Sequence, residues 1–272
     1  MLPEWKYNQL ARYKLFRDKV VAKILKNPRI NLLENRVEVF TSLSKIVDDA
    51  IGFYGLSIEE FFQNVSKWEE TETALFNNAE TLKIFYESWN DEASIQNVCA
   101  NIVNQLIWFE NYNVCSEFTL HAEKIIDYGC GTGSLSLALA QNNKIKNELV
   151  LLDVPNDVSI FRDHIIKKYG MPNVSNGNIL EYKTDKQADL IMCLDVLEHL
   201  EESSSIFINQ LSPLLKKGGL AILRAPWRGQ LTHIDQAADD FYLNGGKKFL
   251  TENYEEVYRF GNYDICAVYR KR

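Results

Sequence analysis

Apolar positions recur at three- and four-residue spacing through roughly the first 115 residues, the period of an amphipathic helix. Proline occurs in this stretch only at Pro3 and Pro28, and glycine only at Gly52 and Gly55. The segment ARYKLFRDKVVAKILK is a predicted helix that Asn27-Pro28 stops. LLENRVEVFTSLSKIVDDAIGFYG is a second, ending at Gly52 or Gly55. SIEEFFQNVSKW, ETALFNNAETLKIFYESW and EASIQNVCANIVNQLIWFENY follow, and Ser57 with Glu60 forms a capping-box pattern. From about residue 120 the texture changes. Short apolar runs suited to buried strands (KIIDYG, ELVLLDV, ADLIMCL, LAILRAPW) alternate with helical stretches (GSLSLALAQNN, DVSIFRDHIIKKYG and SSIFINQLSPLLKK), the last ending at Gly218-Gly219. This order predicts parallel β-α-β units with helices on both faces of a sheet. The tail, TENYEEVYRFGNYDICAVYRKR, reads as two strands around Gly261-Asn262. They are joined too tightly for a parallel crossover and should pair antiparallel at one edge.

Composition narrows the class. The chain has 272 residues, 46% hydrophobic and 25% charged, which excludes long disorder, collagen and coiled coil. No window reaches the ~18 consecutive apolar residues of a membrane span. The first residues lack an apolar signal core, so a cytoplasmic location is expected. A net charge of −7 argues against bulk nucleic-acid binding and leaves room for a local basic pocket. The five cysteines (Cys99, Cys115, Cys130, Cys193 and Cys266) are scattered and form no C-x-x-C pair. They read as buried thiols, with neither a disulfide framework nor a zinc knuckle.

The sharpest chemical signal is Asp127-Tyr128-Gly129-Cys130-Gly131-Thr132-Gly133, between a predicted strand and a predicted helix. Glycines there permit tight backbone turns and close approach to a ligand at the carboxyl end of the sheet. The dinucleotide fingerprint needs glycine at position 134, which is Ser134, so the spacing is D-x-G-x-G-x-G. With this turn, Asp153 closing LLDV, Gly177-Asn178-Ile179, ADLIMCLDVLEHL and LSPLLKKGGLAILRAPW in order, the chain resembles the class I S-adenosylmethionine (SAM)-dependent methyltransferases over roughly residues 86–272.

That resemblance implies a Rossmann-like α/β fold: a seven-stranded sheet with helices on both faces and the last strand antiparallel. It divides the chain into an all-helical N-terminal region, 1–85, and a methyltransferase domain, 86–272. The implied cofactor-binding set is Asp127, Gly129, Cys130, Gly131, Gly133, Asp153, Val154, Asn178, Ile179 and Leu194. Asp127 supports the loop at the methionine end, and Asp153 reads the ribose hydroxyls through paired charge-assisted hydrogen bonds. Asn178 departs from the acid usual near the adenine amino group, though an amide oxygen accepts the same bond.

The segment Asp195-Val196-Leu197-Glu198-His199, followed by His233, resembles the ubiquinone-pathway O-methyltransferases. It also resembles the small-RNA 2′-O-methyltransferases, in which a later His completes a divalent-metal site. Three readings stand at this level. Asp195, Glu198, His199 and His233 hold a divalent metal such as Mg that acidifies the acceptor hydroxyl. Or His199 or His233, with Glu198, is a metal-free base. Or the segment only positions the acceptor. His121 and His164 are expected on the surface, and Asp235, Asp239 and Asp240 on a solvated helix face.

The expected activity is transfer of a methyl group to a hydroxyl of a small-molecule acceptor. An RNA-end 2′-O-methyltransferase and a non-catalytic SAM-binding protein are the alternatives. The helical region serves either as a lid or as a homodimer interface; Tyr86, Trp89, Trp108 and Tyr112 would face the acceptor in a lid, and otherwise they are plain core packing.

Overall fold

The computed structural model describes residues 36–75, 92–107, 109–227, 233 and 235–272. The predicted helix ARYKLFRDKVVAKILK and most of ETALFNNAETLKIFYESW lie outside them, as do Tyr86, Trp89 and Trp108.

Four helices precede the sheet: α1 (Arg36–Tyr54), α2 (Ile58–Leu75), α3 (Glu92–Ile107) and α4 (Phe109–Thr119). Gly55, at φ +65°, ends α1 in the left-handed conformation that glycine adopts cheaply. The capping box forms as predicted: Ser57 N–H donates to Glu60 Oε2 at 2.7 Å, and Glu60 N–H donates to Ser57 Oγ at 3.1 Å. The alternating part then runs β1 (Lys124–Tyr128), α5 (Ser134–Gln141), β2 (Glu148–Asp153), α6 (Asp157–Lys168), β3 (Val174–Asn178) and β4 (Ala188–Leu194). A 3₁₀ turn (Leu197–His199) leads to a helical run made of α7 (Ser203–Ile206), a π-helical segment (Phe207–Leu211) and α8 (Ser212–Leu214). The chain ends with β5 (Leu215–Ala225), α9 (Asp235–Leu243), α10 (Gly246–Asn253), β6 (Tyr254–Arg259) and β7 (Ile265–Lys271).

The seven strands are ordered β3-β2-β1-β4-β5-β7-β6. β1 to β5 are parallel, and β7 lies antiparallel between β5 and β6. The strand order reverses between β1 and β4, and the loops that leave those two strands flank the crevice where open α/β sheets take ligands.

Strand alternation divides the core in two. Ile125, Leu149, Leu151, Leu190, Met192, Ile222 and Val268 point to one face and pack with Val39, Ile46, Phe61, Ile102 and Val114 of the N-terminal helices and with Phe161 of α6. Ile126, Val150, Leu152, Ile191, Leu223 and Ala267 point to the other face, with Phe207, Leu211, Phe241 and Leu250. The described N-terminal helices therefore share one continuous apolar core with the sheet.

Two local readings are corrected. The helix expected to run to Gly218-Gly219 ends at Leu214, and β5 begins at Leu215. Carbonyls at that end are satisfied from elsewhere: Lys271 Nζ donates to Ser212 O at 2.7 Å and to Leu215 O at 2.8 Å, and Gln187 Nε2 donates to Pro213 O at 2.8 Å. Asp235 and Asp239 are exposed as expected, whereas Asp240 is half-buried. It accepts the Ser204 N–H at 2.6 Å and so caps the first turn of α7. His121 and His164 are exposed and the five cysteines are buried free thiols, as expected. Among the described residues no helix is long and apolar enough to cross a membrane.

Candidate functional site

The turn after β1 is a backbone structure first. Gly129, Gly131 and Gly133 have φ of +71°, +56° and +67°, the region that side chains disfavour. Gly129 N–H and Cys130 N–H donate to Leu152 O on β2, at 2.8 and 3.0 Å. An added Cβ at Gly129 would lie 2.6 Å from Val196 Cγ2, so the loops leaving β1 and β4 touch at this point.

The acids of this site occupy the carboxyl ends of β1 and β2. Asp127 is buried and accepts from Ser136 Oγ of α5 at 2.5 Å. Its carboxyl is pushed up to about 6, mainly by burial, with the neighbouring Asp153 adding to the rise and Ser136 and Arg162 opposing it. Asp153 receives Gly131 N–H at Oδ2, 2.5 Å, and Val154 N–H at Oδ1, 2.7 Å. Burial raises its pKa, while Arg162 and these two amides pull it down. Asn178 lies beside Asp153 in the β2–β3 register, and its Oδ1 accepts Leu180 N–H at 3.0 Å. The ten residues of the predicted cofactor set thus gather at the carboxyl ends of β1 to β4 and in the loops that follow.

Three residues that the sequence reading missed hold this loop. Gln105 Nε2 donates to Cys130 O at 3.1 Å, and its Oε1 accepts Leu135 N–H at 3.3 Å. Asn101, one helical turn earlier on α3, accepts from Thr132 Oγ1 at 2.9 Å. Arg162 on α6 donates through Nη1 to the Gly131 carbonyl. The available signal was weak: Asn101 and Gln105 form an i, i+4 polar pair on a helix that also carries Glu92, Ser94, Gln96, Asn97 and Asn104, and Arg162 sits at an inward position of α6.

The second cluster follows β4. Asp195 has φ +59°, left-handed for a residue with a side chain, and such strain gathers at functional sites. Its N–H donates to Arg224 O on β5 at 2.9 Å, and its Oδ2 accepts from Arg224 Nη1 at 2.9 Å. Glu198, Nε2 or Nδ1 of His199 and of His233 bring one ligand atom each within 4.8 Å of one another. The rings of His199 and His233 stand 5.1 Å apart edge to face, and His233 Nε2 is 3.9 Å from Glu198 Oε1. Glu198 is fully buried, and neither of its carboxylate oxygens has a hydrogen-bond partner among the described residues. Burial pushes its pKa well up, and the nearby Asp195 pushes it further. Of the four predicted metal ligands, the fold brings together Glu198, His199 and His233, and it turns Asp195 to Arg224.

Tyr112, the one predicted lid aromatic among the described residues, is fully buried. Its hydroxyl donates to Glu38 Oε2 at 3.3 Å and accepts from Asn142 Nδ2 at 2.7 Å, so it packs within the helices.

Residues 103–251 match the family described as Methyltransferase domain. The chain belongs to this family. Its sheet order and glycine turn are those that the resemblance to class I SAM-dependent methyltransferases implies. A ubiquinone biosynthesis O-methyltransferase of Stutzerimonas stutzeri is 30% identical over 104 residues, 37% of this chain and 43% of the relative. A probable (S)-tetrahydroprotoberberine N-methyltransferase of Papaver bracteatum is 28% identical over 123 residues, 43% of this chain and 33% of the relative. This methyltransferase therefore spans less than half the length of either. Among solved structures, the N-methyltransferase NodS of Bradyrhizobium japonicum aligns with a TM-score of 0.44 at 20% identity, covering 60% of this chain and 94% of that one.

Proposed function

We propose that this methyltransferase transfers the SAM methyl group to a hydroxyl of a small-molecule acceptor. The observation that carries the reading is the buried Glu198 carboxylate, without a hydrogen-bond partner among the described residues, facing His199 and His233, beside the loop that touches Gly129. A hydroxyl must lose its proton as the new O–C bond forms, and this cluster is equipped to take it.

The glycine loop and Asp127 receive the amino-acid end of SAM. Asp153 accepts from the ribose hydroxyls with the lone pairs that Gly131 and Val154 leave open. Asn178 and Ile179 flank the adenine. The His199–His233 pair takes the acceptor proton. Glu198 Oε1, 3.9 Å from His233 Nε2, balances the imidazolium charge. SAM held at the glycine loop would supply an activated methyl group to the acceptor oxygen and leave as the neutral thioether S-adenosylhomocysteine.

Glu198, His199 and His233 also suit a divalent cation, offering one carboxylate and two imidazoles with the carboxylate otherwise unsatisfied. An ion held there would supply Lewis acidity to the acceptor oxygen. Asp195, paired with Arg224, stands behind this set as a support.

The test is methyl transfer from labelled SAM to a fractionated small-molecule extract, with and without chelator. Label in a hydroxyl-bearing small molecule supports the reading, and its loss on chelation adds the cation. Label at nitrogen, the chemistry named for the Papaver bracteatum relative, replaces the hydroxyl assignment. Label in RNA replaces the acceptor class.

A further inference from the structure

Beneath the glycine loop lies a cation that the hydrophobic pattern gives no reason to expect. Arg162 is 1% exposed, among the largest fully buried side chains of the chain. A guanidinium buried to this degree requires its donors to be met. Nη1 donates to the carbonyl of Gly131. Nε donates to Asn176 Oδ1 on β3 at 2.9 Å. The Asn176 amide is itself oriented, since Nδ2 donates to Ser159 O at 3.1 Å and to Asp163 Oδ1 at 2.6 Å. Gly131 is thereby committed at both ends, its carbonyl to Arg162 and its N–H to Asp153 Oδ2 at 2.5 Å, while its backbone holds φ +56°.

We propose that Arg162 is a positioning residue for the ribose site: by fixing the Gly131 carbonyl from α6 it fixes the Gly131 amide on Asp153, and so aims the carboxylate that reads the cofactor's hydroxyls. This rests on the proposed role of Asp153. The guanidinium acts through charge as well. The ionisable groups around Asp153 are Arg162 on α6, Asp127 on β1, and Tyr128 and Cys130 at the start of the loop. Arg162 favours the ionised form of both Asp127 and Asp153 against their burial. A purely structural Arg162 would tie α6 to β3 and contribute stability alone.

The experiment measures S-adenosylhomocysteine affinity across pH by calorimetry for the intact chain and for Arg162→Met, Arg162→Lys, Asn176→Ala and Asp153→Ala. Arg162→Met is expected to bind about tenfold more weakly at neutral pH. As pH falls, its affinity should also begin to fail at a higher pH, because Asp153 protonates sooner without the guanidinium. Arg162→Lys keeps the charge and should keep the pH profile, yet bind several-fold more weakly, because one ammonium does not reach both Gly131 O and Asn176 Oδ1. Asn176→Ala should weaken binding several-fold by freeing the guanidinium to turn. Arg162→Lys and Asn176→Ala both within about twofold of the parent would overturn the proposal, even if Arg162→Met fails to fold. A folded Arg162→Met with unchanged affinity and profile would do the same. If Asp153→Ala leaves affinity unchanged, the ribose assignment falls and takes the proposal with it. If Asp153→Ala weakens binding and the Arg162 and Asn176 variants do not, the proposal falls alone.

Discussion

Gly129 and Val196 meet where the loops leaving β1 and β4 cross: a Cβ on Gly129 would stand 2.6 Å from Val196 Cγ2, at a backbone φ of +71°. One position thus joins the glycine turn after β1 to the segment that carries Glu198 and His199. Gly129→Ala is expected to lower folding stability by roughly 1–3 kcal/mol through strain and overlap. It should also weaken S-adenosylhomocysteine binding by at least about tenfold. Thermal melts and calorimetry on the same preparation check both.

Asp127 carries a stability cost that depends on pH. Its carboxyl is raised from 3.8 to about 6 in the fold, so the unfolded chain ionises first. Stability is highest below the unfolded value and is lost as pH rises from about 4 toward 6, after which the penalty is constant. Asp127→Asn keeps an acceptor for Ser136 and removes the penalty. It should stabilise the protein by roughly 1–3 kcal/mol above neutral pH and bring little gain near pH 4, while cofactor affinity drops. Melting temperatures of both proteins across pH decide it: an equal offset at every pH would remove burial of the charge as the cause.

Glu198 follows the same sign. Its pKa is raised by burial and by Asp195, so the fold carries the cost of an ionised carboxylate at high pH. Glu198→Gln should melt higher than the parent in alkaline buffer and transfer methyl groups at least about a hundredfold more slowly. S-adenosylhomocysteine affinity should stay unchanged. A fall in stability together with retained turnover would place the residue outside the chemistry.

Gln105 and Asn101 brace the loop proposed to receive the amino-acid end of the cofactor. They hold Cys130 O, Leu135 N–H and Thr132 Oγ1, beside the proposed amino-acid subsite. Gln105→Ala is expected to weaken S-adenosylhomocysteine binding by roughly three- to tenfold. It should leave 5′-methylthioadenosine, which lacks the amino-acid portion, nearly unaffected. Parallel titrations with the two ligands read the split, and an equal loss for both would point to general loosening of the fold.

Much of this arrangement was legible because it rests on local rules. Apolar runs marked β1, β2 and β4, the spacing of Gly129, Gly131 and Gly133 marked the tight turn after β1, and Ser57 with Glu60 marked the start of α2. β3 carried no such run. VSNGN is a sheet edge with one fully buried residue, so little apolar patterning was required of it, and family resemblance alone placed Asn178. The end of α8 was misread because the groups that satisfy it, Lys271 and Gln187, lie far along the chain. Asp195 fitted a ligand pattern by spacing, but its partner Arg224 stands 29 residues later, a pairing that exists only once β4 and β5 are adjacent. Arg162 and Gln105 escaped for the same reason: each earns its role through a loop distant in sequence.

The helices that roof one face of the sheet also reach the glycine turn after β1, through Asn101 and Gln105 on α3. Replacing the region before β1 with that of a relative would import a different grip on Cys130 and Thr132. A chimaera of this kind would change the footing of the glycine turn itself, so the helices and the turn are inherited as one unit.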